Sequence, residues 1–183
     1  MKKAAITGIF ILVLAGWAAG QGTYMTNEGT IVFYSHTSIE DITAENNEVA
    51  SVIDSENGGV AVIVQMTAFK FAKSLMQEHF NENYVESEKF PKAIFKGSIL
   101  NNQDVDYTSN GVYNVRVEGD LTIHGVTNQV SAEGTIEVMG EGIIANTKFM
   151  LNPEDYGIEI PNVVRKNIAE NMEIRINLFH KPI

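Results

Sequence analysis

The feature that most constrains this chain is a period of two. Between Tyr113 and Ile123, the residues Tyr113, Val115, Val117, Leu121 and Ile123 share one parity, with Gly119 among them. Asn114, Arg116, Glu118, Asp120 and Thr122 share the other. Successive side chains of an extended backbone point to opposite faces, so this alternation specifies a strand with one buried and one solvated side. A helix would place the same residues all round its axis and bury none of its faces cleanly.

The pattern recurs. Val130, Ala132, Gly134, Ile136 and Val138 alternate with Gln129, Ser131, Glu133, Thr135 and Glu137, and Met172, Ile174, Ile176 and Leu178 with Glu173, Arg175 and Asn177. Phe95, Gly97 and Ile99 alternate with Lys96 and Ser98. Ile143, Ala145, Phe149 and Leu151 form a weaker set, because Thr147 shares their parity and Ile144 and Met150 oppose them. Ile31–Thr37, Glu48–Asp54 and Val60–Thr67 bring the total to about eight strands. Asn57-Gly58 and Asn110-Gly111 read as type I′ hairpin turns, and Gly140-Glu141-Gly142 as a third turn. The expected fold is all-β: an antiparallel barrel of about eight strands, whose closure removes both sheet edges, with one or two short helices. Phe69 to Phe80 is the first expected helix, with Phe71, Leu75 and His79 on one stripe and Ala72, Met76 and Phe80 beside it. Val163 to Glu170 is the second, with Asn162 as its N-cap.

The first twenty residues read differently. Met1-Lys2-Lys3 is a basic start, Ala4 to Ala15 is apolar, and Gly16-Trp17-Ala18-Ala19-Gly20 supplies small residues for cleavage. Residues 1–20 are therefore expected to be a secretory signal peptide, and residues 21–183 the mature domain, beginning at Gln21. The expected location is periplasmic or secreted, with no stable membrane insertion after cleavage. Loss of Lys2 and Lys3 takes the formal charge from -10 to -12. So acidic a protein is a poor partner for nucleic acid or for anionic membranes in general. The chain has no cysteine, which removes disulfides, thiolate catalysis and cysteine-based zinc sites together. Stability must come from the core.

The polar residues point to no reaction. His36, His79 and His180 lack metal-ligand spacing, and the acidic run around His79 lacks the Asp/Asn ladder of a calcium loop. No phosphate-binding glycine loop or Gly-x-Ser-x-Gly element is present. No nucleophile–base pair is evident on the inward parity. No catalytic residue, metal or cofactor is expected. His124 continues the parity of Asp120 and Thr122, so it is expected at a strand end, facing water or the rim beside a Gly125–Asn128 turn. Arg165-Lys166 reads as a solvated basic pair. The inward parity is more telling: Gly97, Gly119, Ala132, Gly134 and Ala145 lie among large apolar residues and leave volume unfilled. Gly119 and Gly134 are expected to mark places where a bound molecule comes close. A barrel of this size either fills itself or holds one small ligand, and periodicity alone leaves both open.

Four stretches carry a family likeness: Phe90 to Ile99 (FPKAIFKGSI), Gly119 to Val130 (GDLTIHGVTNQV), Leu151 to Ile158 (LNPEDYGI) and Met172 to Leu178 (MEIRINL). Together they resemble the YceI-like family of exported bacterial proteins, over about Gly29 to His180. The resemblance implies a lipocalin-like barrel with a helix near its opening. It also implies an apolar tunnel for a polyisoprenoid, prenyl quinone, fatty-acyl compound or other long-chain lipid, and no catalytic residues. The lining expected on this reading is Phe33, Phe71, Leu75, Phe95, Val115, Val117, Leu121, Ile123, Ile136, Phe149, Ile174 and Ile176. The resemblance leaves room for a homodimer. Two segments depart from the family pattern: Gln77 to Lys89, where only His79-Phe80 matches, and Pro161 to Asn171. Both are expected near the tunnel entrance, so no head-group preference carries over. The rival reading is a structural or glycan-interacting β-protein with a filled core.

Overall fold

The computed structural model describes residues 22–183; the expected signal peptide lies outside the described residues, apart from which the chain folds as one sheet. Its strands are β1 (Thr23–His36), β2 (Asp41–Asp54), β3 (Gly59–Gln65), β4 (Lys70–Phe71), β5 (Lys92–Ile99), β6 (Gly111–Ile123), β7 (Val126–Met139), β8 (Gly142–Leu151) and β9 (Met172–Pro182). All pairings are antiparallel, and the order β1-β9-β8-β7-β6-β5-β3-β2 returns to β1 through a β1–β2 ladder. The ring is a closed eight-stranded barrel, as the alternation requires. The two-residue β4 is an addition, hydrogen-bonded to β2 beside Ala44 and Glu45.

The alternation survives in three dimensions. On β6, Val115 is buried and Val117 and Leu121 face inward, while Asn114, Arg116 and Asp120 are exposed. A charged exterior around an apolar interior is the reverse of a membrane-spanning barrel.

Two of the expected hairpin turns differ. Asn57-Gly58 does join β2 to β3, but only Gly58 has positive φ (76°), and the Asp54 carboxylate accepts the Glu56 and Asn57 amides. Asn110-Gly111 is no hairpin: β5 and β6 are joined by residues 100–110, which cross the end of the barrel. The reason is packing. Val105 is buried there, and Tyr107 stacks on Tyr24 with ring centroids 5.8 Å apart while its hydroxyl donates to Asn102. Burial also holds the Tyr107 phenol well above its ordinary pKa. The true type I′ turn is His124-Gly125, with φ of 51° and 77° between the paired residues Ile123 and Val126.

The helices also move. The first begins at Ser74, not Phe69: α1 spans Ser74–His79 and continues as a π turn over Phe80–Tyr84. Phe69 and Phe71 are taken from it by the barrel, because Phe71 pairs across β4 with Ala44 and Phe69 is buried. Val163 to Glu170 forms no helix. It makes successive turns closed by Val164 N to Pro161 O and Asn167 N to Val164 O; Val164 and Ile168 turn toward the barrel while Val163 is 90% exposed, and so short a run packs too little surface to offset the cost of starting a helix.

The inward glycines answer to the sheet itself. A Cβ on Gly119 would stand 2.4 Å from Gly97 Cα and 2.4 Å from the Lys96 carbonyl; on Gly134 it would stand 2.4 Å from the Asn146 carbonyl. The neighbouring strand accounts for the closeness at both positions; of the two, Gly134 also borders the barrel interior and Gly119 does not. Gly119→Ala should therefore lower stability by about 1–3 kcal/mol, while Gly140→Ala, with nothing within 4 Å, should be near neutral. Denaturant midpoints of the two variants check this; equal midpoints would refute it.

Candidate functional site

Inward side chains do not all meet the same surroundings. On β1, β2 and β3 they are buried: Ile31, Phe33, Val49, Ile53, Val60, Val62 and Val64 all belong to the packed core. On β5, β6, β8 and β9 many are half-exposed although they point inward, including Phe95, Val117, Leu121, Phe149, Ile174 and Ile176. They border an internal cavity of about 400 Å³, within the roughly 300–1,000 Å³ of small-molecule sites. Periodicity left a cavity and a filled core open; the barrel holds both, side by side.

Of the expected lining residues, Phe33, Phe71, Phe95, Val115, Val117, Leu121, Ile123, Ile136, Phe149, Ile174 and Ile176 border the cavity. Leu75 does not. It is 59% exposed on the outside of α1, because the helix starts later than expected and turns Met76, His79 and Phe80 toward the barrel instead. Phe69, Phe80, Tyr84 and the β3 valines line the cavity and were missed. The signal in β3 was present but weak, since Ala61 and Ile63 make both of its parities apolar.

The wall is almost entirely hydrocarbon. At one end four rings, Phe33, Phe69, Phe71 and Phe80, pack with centroids 5.1–5.7 Å apart. Such pairs contribute about 0.5–1.5 kcal/mol each beyond the area they bury. Across this end lie α1 and the 160–168 segment, whose Met76, His79, Ile160, Val164, Asn167 and Ile168 also border the cavity. Both segments that depart from the family pattern thus meet at the mouth. They are joined through the β1–β2 turn. Lys73 Nζ donates to Glu40 Oε1 (2.9 Å), Asn167 Nδ2 to Glu40 Oε2 (3.2 Å), and the Ala169 amide to Ser35 Oγ (2.8 Å). Those donors hold the Glu40 carboxyl below its ordinary pKa.

A polar pair lies in the packed region. Ser51 Oγ and His180 Nε2 are 2.9 Å apart, and His180 Nδ1 lies 3.1 Å from the Leu178 carbonyl, to which it donates. This leaves Nε2 as acceptor for the Ser51 hydroxyl. No nucleophile–base pair is evident on the inward parity of the sequence, but the fold brings this serine and histidine together. Ser51 borders the cavity but is 2% exposed, and His180 is fully buried and borders nothing open. Their bond ties β2 to β9 across β1. Burial lowers the His180 pKa from 6.5 to about 4. The unfolded chain therefore binds more protons than the folded one between those values, and stability falls as pH drops through that window.

His124 is also corrected. It is not a solvated strand end but the first central residue of the β6–β7 turn, and its side chain is 14% exposed. Nε2 lies 2.7 Å from Glu86 Oε2, Nδ1 lies 3.3 Å from the Tyr156 carbonyl, and the ring meets Phe90 edge-on at 4.5 Å. It does not border the cavity. Arg165 is not free either: it pairs with Glu154.

Comparison with known proteins agrees with this architecture. The family model described as "YceI-like domain" matches residues 23–179. No curated protein matches the chain by sequence. Among solved structures, a polyisoprenoid binding domain from Saccharophagus degradans, implicated in plant cell wall breakdown, aligns with TM-score 0.77 at 12% identity, covering 90% of this chain and 100% of that one. BcnA of Burkholderia cenocepacia aligns with TM-score 0.69 at 13% identity, covering 82% and 95%. A mutant of the Campylobacter jejuni YceI protein aligns with TM-score 0.54 at 12% identity, covering 98% and 97%. At these identities the likeness is one of fold.

Two outcomes are expected of the polar residues. His124→Asn keeps a side chain that tolerates positive φ but loses the Glu86 contact, so stability should drop by about 1 kcal/mol with uptake of an apolar dye unchanged. Dye titration and denaturant unfolding of one sample separate the two effects; lost uptake in a folded protein would place His124 at the ligand. For His180, a non-titrating His180→Gln variant should flatten the stability profile between pH 6.5 and 4, where the wild type changes by up to about 1.4 kcal/mol per pH unit. Parallel profiles would assign the acid sensitivity elsewhere.

Proposed function

The chain belongs to the YceI-like domain family, and from that premise we propose that it is a non-enzymatic carrier that holds one long-chain amphiphile inside its barrel. The carrying observation is the set of inward apolar side chains left half-exposed around an enclosed space. A water-soluble fold gains nothing from exposing Phe95, Leu121 and Phe149 to an internal void. It gains when a hydrocarbon chain covers them, at roughly 0.8 kcal/mol per buried methylene before the chain's own ordering is subtracted. The Saccharophagus degradans domain, which is described as polyisoprenoid-binding, shares the fold and makes a polyisoprenoid, prenyl quinone or fatty-acyl compound the natural class to test. The basic, apolar and small-residue order of residues 1–20 supports export to the periplasm or the medium, where such a carrier would ferry lipid through water.

Leu121→Trp should fill the space from the β6 wall and weaken uptake of a fluorescent polyprenyl or fatty-acyl probe by about tenfold or more, at little cost in stability. Native mass spectrometry of protein purified from membrane-containing cells provides the companion measurement, with a co-purifying lipid expected in the wild type and depleted in the variant. A wild type that never takes up the probe and carries no lipid would overturn the carrier.

A further inference from the structure

The cavity wall contains one carboxylate, and its one basic side chain is the His79 imidazole, among the described residues. Among the described residues that border it, Glu40 is the only Asp, Glu, Lys or Arg. It stands at the mouth, on the turn between β1 and β2, with Ser35 and Asn167 beside it. Its side chain is 25% exposed. A carboxylate offers about four lone-pair positions, and Lys73 and Asn167 occupy two of the Glu40 set. The remaining acceptor capacity belongs to a group that lines the cavity at its polar end. Lys73, whose side chain is 67% exposed, holds the carboxylate from outside and does not line the cavity. A molecule with its chain in the tunnel would bring its head to this carboxylate without meeting a lining Lys or Arg.

We propose that Glu40 selects the head group of the bound amphiphile, accepting ends that donate hydrogen bonds or carry positive charge, such as alcohols, amides and amines, and disfavouring carboxylate and phosphate ends. This inference rests on the carrier reading and narrows it. An anionic head would share the mouth with a like charge, at an interface where such juxtaposition is strongly unfavourable. A hydroxyl or N–H head would complete the acceptor set of a carboxylate already aimed by two donors.

The test compares heads on one hydrocarbon chain. Oleyl alcohol, oleylamine and oleate, with headless 1-octadecene as reference, displace the neutral dye N-phenyl-1-naphthylamine from the full-length protein. In the wild type the alcohol and amine should bind tighter than oleate by roughly tenfold. Glu40→Gln should bring oleate to within about threefold of the alcohol. Lys73→Met keeps the carboxylate but removes its cation, so it should widen the gap, and it serves as the second reading should Glu40→Gln loosen the mouth. Oleate binding as tightly as the alcohol in the wild type, or a gap that neither variant moves, overturns the head-group assignment while leaving the tunnel intact. Failure of the dye and of all four compounds, 1-octadecene included, to bind overturns the tunnel itself, and the assignment with it.

Discussion

Closure of the ring governs everything else in this molecule. β1 carries hydrogen-bonded partners on both of its edges, β2 on one and β9 on the other, so the sheet has no free end. An eight-stranded ring encloses a space that side chains can just fill or leave for one small ligand. Which of these happens depends on the volume each strand points inward. β1, β2 and β3 contribute Ile31, Phe33, Ile53 and three valines, which pack to full burial. β7 and β8 contribute Ala132, Gly134 and Ala145 opposite them. The space left over is bordered by side chains of β1 to β3 as well as of β5 to β9, and the small residues among them keep it open. Gly97, Gly119 and Gly134 serve the wall itself, by letting neighbouring backbones come closer than a Cβ permits.

The most recognisable stretches of the sequence meet at a corner outside the cavity. Phe90, His124-Gly125 and Tyr156-Gly157 come from three separate motifs, and all three touch: the Phe90 ring lies against His124, and the Tyr156 carbonyl against its Nδ1. A Cβ on Gly125 would stand 2.7 Å from the Phe90 ring, at a φ that already favours glycine. Among the described residues, the two non-glycine residues with positive φ are Glu86 and His124, and they are bonded to each other. Positive φ in such residues is unfavourable, so it persists where surrounding contacts fix it. The corner also anchors the 86–91 loop that leads from the mouth helix into β5. Its residues are demanding for geometric reasons, and Glu86, Phe90, His124 and Tyr156 do not border the cavity.

Strand content and inward parity were legible in the sequence because period-two alternation is a direct image of the pleat. β6, β7 and β9 lie within a few residues of their expected bounds for that reason. What the alternation could not carry was competition between local and distant partners. Phe69 and Phe71 fit the start of a helix as well as a strand, and only the presence of Ala44, Phe33 and Phe80 decides the matter. Asn110-Gly111 has the composition of a hairpin turn, but Val105 and Tyr107 need a longer connection to close the barrel end. Glu40 gave no signal at all, because a carboxylate in a turn is ordinary until Lys73 and Asn167 arrive from elsewhere in the chain. The pairing of Ser51 with His180 spans 129 residues and is equally invisible to spacing.

The division of the interior also resolves a conflict between stability and capacity. A chain without cysteine has no disulfide to lean on, and every unfilled volume in a core costs packing energy. Here the buried residues of β1 to β3, with Val138, Ile143 and Leu178, form a continuous packed body, and the Ser51–His180 bond lies within it. The open volume borders that body and extends to the end where α1, which has no buried residue, lies across the barrel. Loosening α1 and the 160–168 segment therefore disturbs little of the packed body, because what holds them is a short polar bridge through Glu40 and the phenylalanine group beneath. Any occupant that covers the half-exposed wall adds its binding free energy to the folded state alone. On the proposed carrier reading, the end with no buried helix residue is then the end that gains most when filled, so loading and release need not disturb the packed body.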